Sequence, residues 1–186
     1  MRYPEGKRYC NTEADLHQYM LSLKLVPCPH CGRTGFLIGH GFLRGYSETE
    51  QEHVVRGRRF FCSNRHRRRG CGRTFSVLLS DVLKGFMVRA NTLWNYLKKV
   101  AGGMSRRAAW EQTRKSFSRE SGYRLWQRLN KAQTHIRTLL CRQRPPPASS
   151  SDEPLFQLMD HVNCVFPCAS CPFSSFQGSF QSSLMG

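Results

Sequence analysis

Cys28-Pro29-His30-Cys31-Gly32, answered downstream by Cys62 and by Cys71-Gly72-Arg73-Thr74-Phe75, is the stretch on which the fold turns. A Cys-x-x-Cys turn presents two thiolates to one metal ion, and the glycine after it permits the tight backbone turn. Tetrahedral zinc takes four such ligands, so the pattern assigns Cys28, Cys31, Cys62 and Cys71 to one site. The second pair is interrupted by eight residues, Ser63-Asn64-Arg65-His66-Arg67-Arg68-Arg69-Gly70, which read as an insertion bulging out of the turn. His66 is a rival ligand through Cys62-x3-His66. Cys71 is preferred, because Cys-Gly-Arg-Thr-Phe repeats the turn-then-strand form of the Cys28 side. Unligated buried cysteines and a redox pair are the competing readings, but redox use expects a βαβ context that this sequence lacks. Four cysteine ligands leave no open position for water or substrate, so this zinc is expected to be structural.

Charge points to the partner. From Met1 to Arg144 lie all 29 Lys and Arg against nine acids, a balance of +20; from Pro145 onward there is no Lys or Arg, and Asp152, Glu153 and Asp160 give −3. A body this basic attracts polyanions, of which nucleic acid is the commonest. Eight arginines lie between Arg56 and Arg73: Arg56, Arg58, Arg59, Arg65, Arg67, Arg68, Arg69 and Arg73. Anchored by zinc, such a run suits phosphate contact better than a merely solvated face. The first thirty residues show no secretory pattern, and no run approaches the ~20 apolar residues of a membrane span. The expectation is a reducing cytosol, with the protein at the nucleoid, where nine cysteines argue for metal rather than disulfides.

Upstream, Thr12 caps an amphipathic helix over 12–24 carrying Leu16, Tyr19, Met20 and Leu23, and Pro27 and Pro29 stop it. Residues 28–79 hold β-type runs at Phe36-Leu37-Ile38, Val54-Val55, Arg59-Phe60-Phe61 and Thr74-Phe75-Ser76-Val77, with Gly32, Gly35, Gly39, Gly41 and Gly45 as punctuation. Glu48, Glu50 and Glu52 alternate but read as a solvated acidic loop.

Downstream the pattern turns helical. Leu93, Leu97, Val100 and Ala101 mark a first helix ended by Gly102-Gly103; Ser105 caps a short second helix to about Arg114. Lys115-Ser116-Phe117-Ser118 is a turn, and Ser118 caps a third helix reaching about Cys141. On it Leu125, Leu129, Ala132, Ile136 and Leu139 form a core stripe, while Arg124, Arg128, Lys131 and His135 form a basic stripe one residue round. A short helix, a turn and a longer helix fit a helix-turn-helix, with Ala108, Ala109 and Trp110 at the crossing. Ser118, Arg119, Glu120, Ser121, Tyr123 and Arg124 are the candidates to read bases, with Arg128 further along.

The fold expectation is therefore α+β: an N-terminal helical extension over 1–27, a zinc ribbon of short antiparallel strands over 28–80, an all-α helix-turn-helix domain over 86–144, and a Pro/Ser linker with a Cys/Phe-rich tail over 145–186. In that tail His161, Cys164, Cys168 and Cys171 are a candidate second metal set; docking to a partner, favoured by Phe166, Phe173, Phe176 and Phe180, or partial disorder are the alternatives. Cys-x3-Cys-x2-Cys also matches the iron–sulfur triad of radical enzymes, which would need a large barrel to follow.

Cys-Pro-His-Cys-Gly at 28–32, Arg-Arg-Phe-Phe-Cys at 58–62 and Cys-Gly-Arg-Thr-Phe at 71–75 resemble the zinc ribbons of bacterial insertion-sequence transposase-like proteins. The resemblance covers residues 28 to about 141 and implies a ribbon before a helix-turn-helix that binds an element's terminal repeats. The chain departs from a full transposase in lacking the acidic triad and RNase H-like domain of strand cleavage. The expectation is a non-catalytic protein that binds double-stranded DNA, in transposition or regulation, with a transposase or other protein docking through the tail. The alternative is an RNA- or ribosome-binding zinc protein, which exposed stacking aromatics on a sheet would favour.

Overall fold

The structure, a computed structural model, describes residues 6–48, 52–65, 67–113, 118–149 and 151–185. These residues form a mixed α+β protein of six helices and one four-stranded sheet, divided into two units, Met1–Val82 and Leu83–Gly186. No helix among them is long and apolar enough to cross a membrane.

The first unit holds β1 (Tyr9–Cys10), α1 (Glu13–Leu21), β2 (Leu37–Tyr46), β3 (His53–Cys62) and β4 (Thr74–Leu79). Thr12 caps α1 through a reciprocal pair: the Asp15 N–H donates to Thr12 Oγ1 at 3.0 Å, and the Thr12 N–H donates to Asp15 Oδ2 at 3.1 Å. The buried face of α1 lays Tyr19 edge-on against Phe60, ring centroids 5.4 Å apart, and Phe60 stacks on Phe75 at 5.5 Å. The sheet order is β1-β4-β3-β2. Strands β2, β3 and β4 run antiparallel, whereas β1 pairs in parallel with β4, Tyr9 opposite Leu78 and Cys10 opposite Leu79.

Two expectations change here. Of the expected extension over 1–27, the described residues 6–27 do not stand apart: β1 is a rung of the sheet, and Cys10, Leu16, Tyr19 and Leu23 share a core with Leu37, Phe60 and Val77. A two-residue strand carries no periodicity, so nothing in the local sequence announces it. Gly39, Gly41 and Gly45 do not end a strand either; they lie within β2, whose register shifts between Gly39 and Gly41 and again between Leu43 and Arg44. Such bulges absorb glycines that would otherwise interrupt a ladder. At the far end the Ser47 N–H donates to the Glu52 carbonyl at 2.8 Å. Glu50 lies outside the described residues.

The second unit is all-helical: α2 (Ala90–Ala101), α3 (Arg106–Thr113), α4 (Arg119–Leu140), α5 (Pro154–Val165) and α6 (Pro172–Phe180). Gly102 caps α2, and Gly103 is the residue that goes left-handed, at φ +91°. Leu125, Leu129 and Ile136 of the α4 stripe are fully buried. Trp110 of α3 meets Tyr96 edge-on at 5.3 Å and donates its indole N–H to the Ser118 carbonyl at 3.0 Å. Of the expected turn, residues 115–117 lie outside the described residues.

Residues 144–149 and 151–153 join α4 to α5 without helix or strand, as a linker should, but the two helices that follow are no free tail. Leu155, Leu158, Val162, Phe173 and Phe176 are all 0 % exposed and belong to the same core as Leu93, Trp110 and Leu129. Trp94 packs edge-on to Phe173 at 4.9 Å. Arg137 and Arg144 donate from α4 and its end to the carbonyls of Pro154 (2.6 Å) and Cys164 (2.9 Å). Leu155, Leu158, Met159 and Val162 have helical spacing behind Pro154 at the first turn, a permitted position for proline. The Pro- and Ser-rich approach masked that signal. Phe173 and Phe176, read as docking residues, are spent on the protein's own core.

Candidate metal centre and basic surfaces

Two backbone turns of one design carry the four cysteines. In the first, the Cys28 N–H donates to the Arg33 carbonyl (2.9 Å) and the Gly32 N–H donates to the Cys28 carbonyl (2.8 Å). In the second, the Cys62 N–H donates to the Arg73 carbonyl (2.9 Å) and the Gly72 N–H donates to the Cys62 carbonyl (2.9 Å). Gly32 and Gly72 both take φ +71°, a left-handed value that glycine adopts without strain. The second turn accommodates its extra residues by closing them off at the base, where the Gly70 N–H donates to the Ser63 carbonyl at 3.0 Å.

All four Sγ atoms lie within 4.8 Å of one another, and could hold a metal ion. Cys28 Sγ is 3.8 Å from Cys71 Sγ, and Cys31 Sγ is 3.9 Å from Cys62 Sγ. Backbone N–H groups already point at the sulfurs: His30 to Cys28 Sγ at 3.4 Å and Cys71 to Cys62 Sγ at 3.3 Å. Burial pushes the Cys28 thiol up and the Cys62 thiol up to about 12. For Cys31, burial is outweighed by hydrogen bonds from the Arg33 backbone and the neighbouring thiols, and its pKa falls. As thiolates, four sulfurs this close would need a cation to neutralise them. His30 is not a ligand; its Nε2 donates to the Thr74 carbonyl at 3.1 Å. His66, the rival ligand, lies outside the described residues.

The inserted loop keeps its cations in solvent. Arg65, Arg67, Arg68, Arg69 and Arg73 are exposed, and Arg59 is exposed on β3. Arg65 lies 5.4 Å from the centre of the Phe61 ring, and Arg67 takes φ +61° in a turn where the Arg68 N–H donates to the Arg65 carbonyl at 3.1 Å. Arg33, which the sequence pattern did not single out, donates its guanidinium to the Arg69 carbonyl and braces the loop from the other cysteine turn. Arg58 differs from the rest: it is half-buried, 4.3 Å above the Phe42 ring.

In the helical unit, Lys84, Arg124, Arg128 and Lys131 line one hollow of about 430 Å³ with Gly85, Phe86 and Gln127. Its lining holds four cations and no acid. Lys84 had no signal in the sequence, being forty residues from Arg124 and ahead of the helices. His135, further along the same helix and exposed, does not line the hollow; its Nε2 is 2.8 Å from Ser182 Oγ. Of the base-reading candidates, Ser118 and Ser121 bond each other through their hydroxyls at 3.2 Å, and Tyr123 is 60 % exposed. Tyr123 borders a separate apolar hollow with Tyr96, Trp110 and Arg106. Arg119 opens α4, but its side chain lies outside the described residues.

The candidate second metal set is not assembled. His161 is fully buried and donates from Nε2 to the Arg144 carbonyl at 2.8 Å; Cys164 faces the Arg144 guanidinium at 3.6 Å; Cys168 is exposed and Cys171 buried. Among the described residues the four cysteines of the first unit are the one group so clustered. His161 and Cys171 are buried in the helical unit instead, while Cys168 is exposed.

Compared with known proteins, the chain matches no family model, no curated protein and no solved structure.

Proposed function

We propose that this is a non-catalytic protein that binds double-stranded DNA, with a structural zinc ribbon over Cys28–Cys71 and a helix-turn-helix made by α3 and α4. The observation that carries the reading is the hollow lined by Lys84, Arg124, Arg128 and Lys131 on the solvent side of α4. The adjoining face of that helix is core, with Leu125 and Leu129 fully buried. A rigid helix with a cationic outer side is what a recognition helix presents to a groove and its phosphates.

Zinc is the metal proposed for the first unit. A tetrahedron with Zn–S bonds of about 2.3 Å has edges of roughly 3.8 Å, and the Sγ separations of 3.8 and 3.9 Å fit it. Cys28, Cys31, Cys62 and Cys71 would hold the ion, which would supply folding energy and hold the arginine loop in place. With four thiolate ligands the site is closed to substrate. On this reading the protein works at the nucleoid, in transposition or its regulation. The experiment is selection of bound sequences from random duplex DNA: a sharp motif supports the reading, and its absence together with tighter RNA binding replaces it. One observation favours the RNA or ribosome alternative, the exposed Phe42 and Tyr46 of the sheet.

A further inference from the structure

The β2–β3 hairpin is more than a support for the cysteines. Its two strands, Leu37–Tyr46 and His53–Cys62, contain no acid but carry Arg44, Arg56, Arg58, Arg59, His40 and His53. The core of the unit draws on the end near Leu37 and Phe60, both fully buried. Beyond it, Phe42, Arg44 and Tyr46 occupy alternate positions of β2 and are all exposed, while Leu43 and Gly45 between them are half-buried. Alternation places the three on one face. Phe42 is 51 % and Tyr46 49 % exposed, a costly display for an edge strand with no use for it.

The face is organised. Arg58, directly across the ladder from Phe42, sits 4.3 Å from its ring centre, and Arg44 sits 5.8 Å from it. Tyr46 pairs across the ladder with His53, rings 4.5 Å apart. Rings spaced along a strand with guanidiniums among them suit a polyanion whose flat groups are free to stack. In a duplex the bases stack on one another and offer only edges. An unpaired strand offers their faces as well.

We infer that Phe42, Arg44 and Tyr46, backed by Arg58 and His53, hold unpaired nucleotides of single-stranded DNA, bases against the rings and phosphates against the guanidiniums. The choice of DNA over RNA rests on the duplex-DNA reading of α4. The hairpin would then take a strand that is opened or left unpaired.

The test is anisotropy titration of the full chain with oligo(dT), oligo(rU) and a duplex, comparing the parent with Phe42→Ala/Tyr46→Ala and with the ring-retaining Phe42→Tyr/Tyr46→Phe. The alanine pair should weaken oligo(dT) binding by at least about fivefold per ring and leave duplex binding within about twofold, while the ring-retaining pair keeps both. No oligo(dT) binding by the parent, equal loss on both DNA forms, or unchanged oligo(dT) binding in the alanine pair would overturn the inference. So would markedly tighter binding of oligo(rU), which would assign the face to RNA. A parent that binds duplex but not oligo(dT) sinks the inference alone; one that binds oligo(dT) but no duplex sinks the helix-turn-helix reading.

Discussion

The indole of Trp110 lies against the α-carbon of Gly122: a methyl group at position 122 would come within 2.8 Å of the indole Cγ and Cδ2. This contact sets how closely α3 and α4 cross, and the Trp110 N–H locks it by bonding the Ser118 carbonyl ahead of α4. In an open helix Gly→Ala stabilises by up to about 1 kcal/mol. Here overpacking should dominate, and Gly122→Ala should destabilise the helical unit by about 1–3 kcal/mol. The three tryptophans, Trp94, Trp110 and Trp126, all lie in that unit, so denaturant unfolding followed by tryptophan fluorescence reads it directly. A more stable variant would mean that the crossing is looser than this contact implies.

Metal removal should act on the first unit. The protein should contain one zinc, and a chelator or Cys28→Ser should lower the stability of the first unit, read from its β signal, while tryptophan fluorescence changes little. Stoichiometric zinc in a Cys62→Ser, Cys71→Ser double variant would refute the ligand set. The pH dependence reverses with the metal. Metal-free, Cys62 is held protonated from its ordinary 9.0 up to about 12 by burial, so its raised pKa stabilises the unit below pH 9 and that stability is lost as pH climbs towards 12. With zinc, the ligands are thiolates and stability is lost on acidification instead, as protons displace the metal. Circular dichroism of the two forms across pH separates these opposite signs.

The C-terminal helices should be indispensable to the second unit. Phe173→Ala empties a fully buried site and should cost about 3–5 kcal/mol. Truncation after Arg144 removes Leu155, Leu158, Val162 and Phe176 from the core and should leave the unit unfolded. A cooperative fluorescence transition in the truncated chain would show that α2–α4 fold without them.

What was legible in the sequence follows the range of each interaction. The caps at Thr12 and Ser105, the α4 stripe and the paired cysteine turns depend on neighbours within a few residues, and each left a local pattern. Ser118 took the cap position of α4 without a side-chain cap bond; its carbonyl serves Trp110 instead. The pairing of Tyr9 with Leu78, the brace from Arg33 to Arg69 and the approach of Lys84 to Arg124 join distant residues and left none. Gly122 could have been noticed as a helix-interior glycine, since such a residue usually has a packing reason. The exposed faces of Phe42 and Tyr46 were hidden because bulges at Gly39 and Leu43 carry the strand through what reads as a turn-rich segment.

The last prediction separates the two cationic surfaces. Arg67, Arg68 and Arg69 are exposed on an irregular loop closed by Gly70 and braced by Arg33, so they have charge but no regular spacing to match base edges. Replacing all three by Gln should weaken every duplex alike and flatten the salt dependence by about 0.9 for each phosphate no longer neutralised. Arg124 and Arg128 sit one turn apart on a helix whose inner side is fixed by Leu125 and Leu129, so their positions are repeatable from one complex to the next. Arg124→Ala, if that side chain meets a guanine, should cost about 1–3 kcal/mol on the selected sequence and far less on random DNA. Lys84→Ala and Lys131→Ala, on the rim of the same hollow, should behave like the loop variants and lower the salt slope by about one each. Paired titrations of selected and random duplexes at several salt concentrations decide the matter. Loss of sequence preference in the loop variants, with only general loss in Arg124→Ala, would exchange the two roles. Undiminished duplex binding in both sets would remove α4 from the interface.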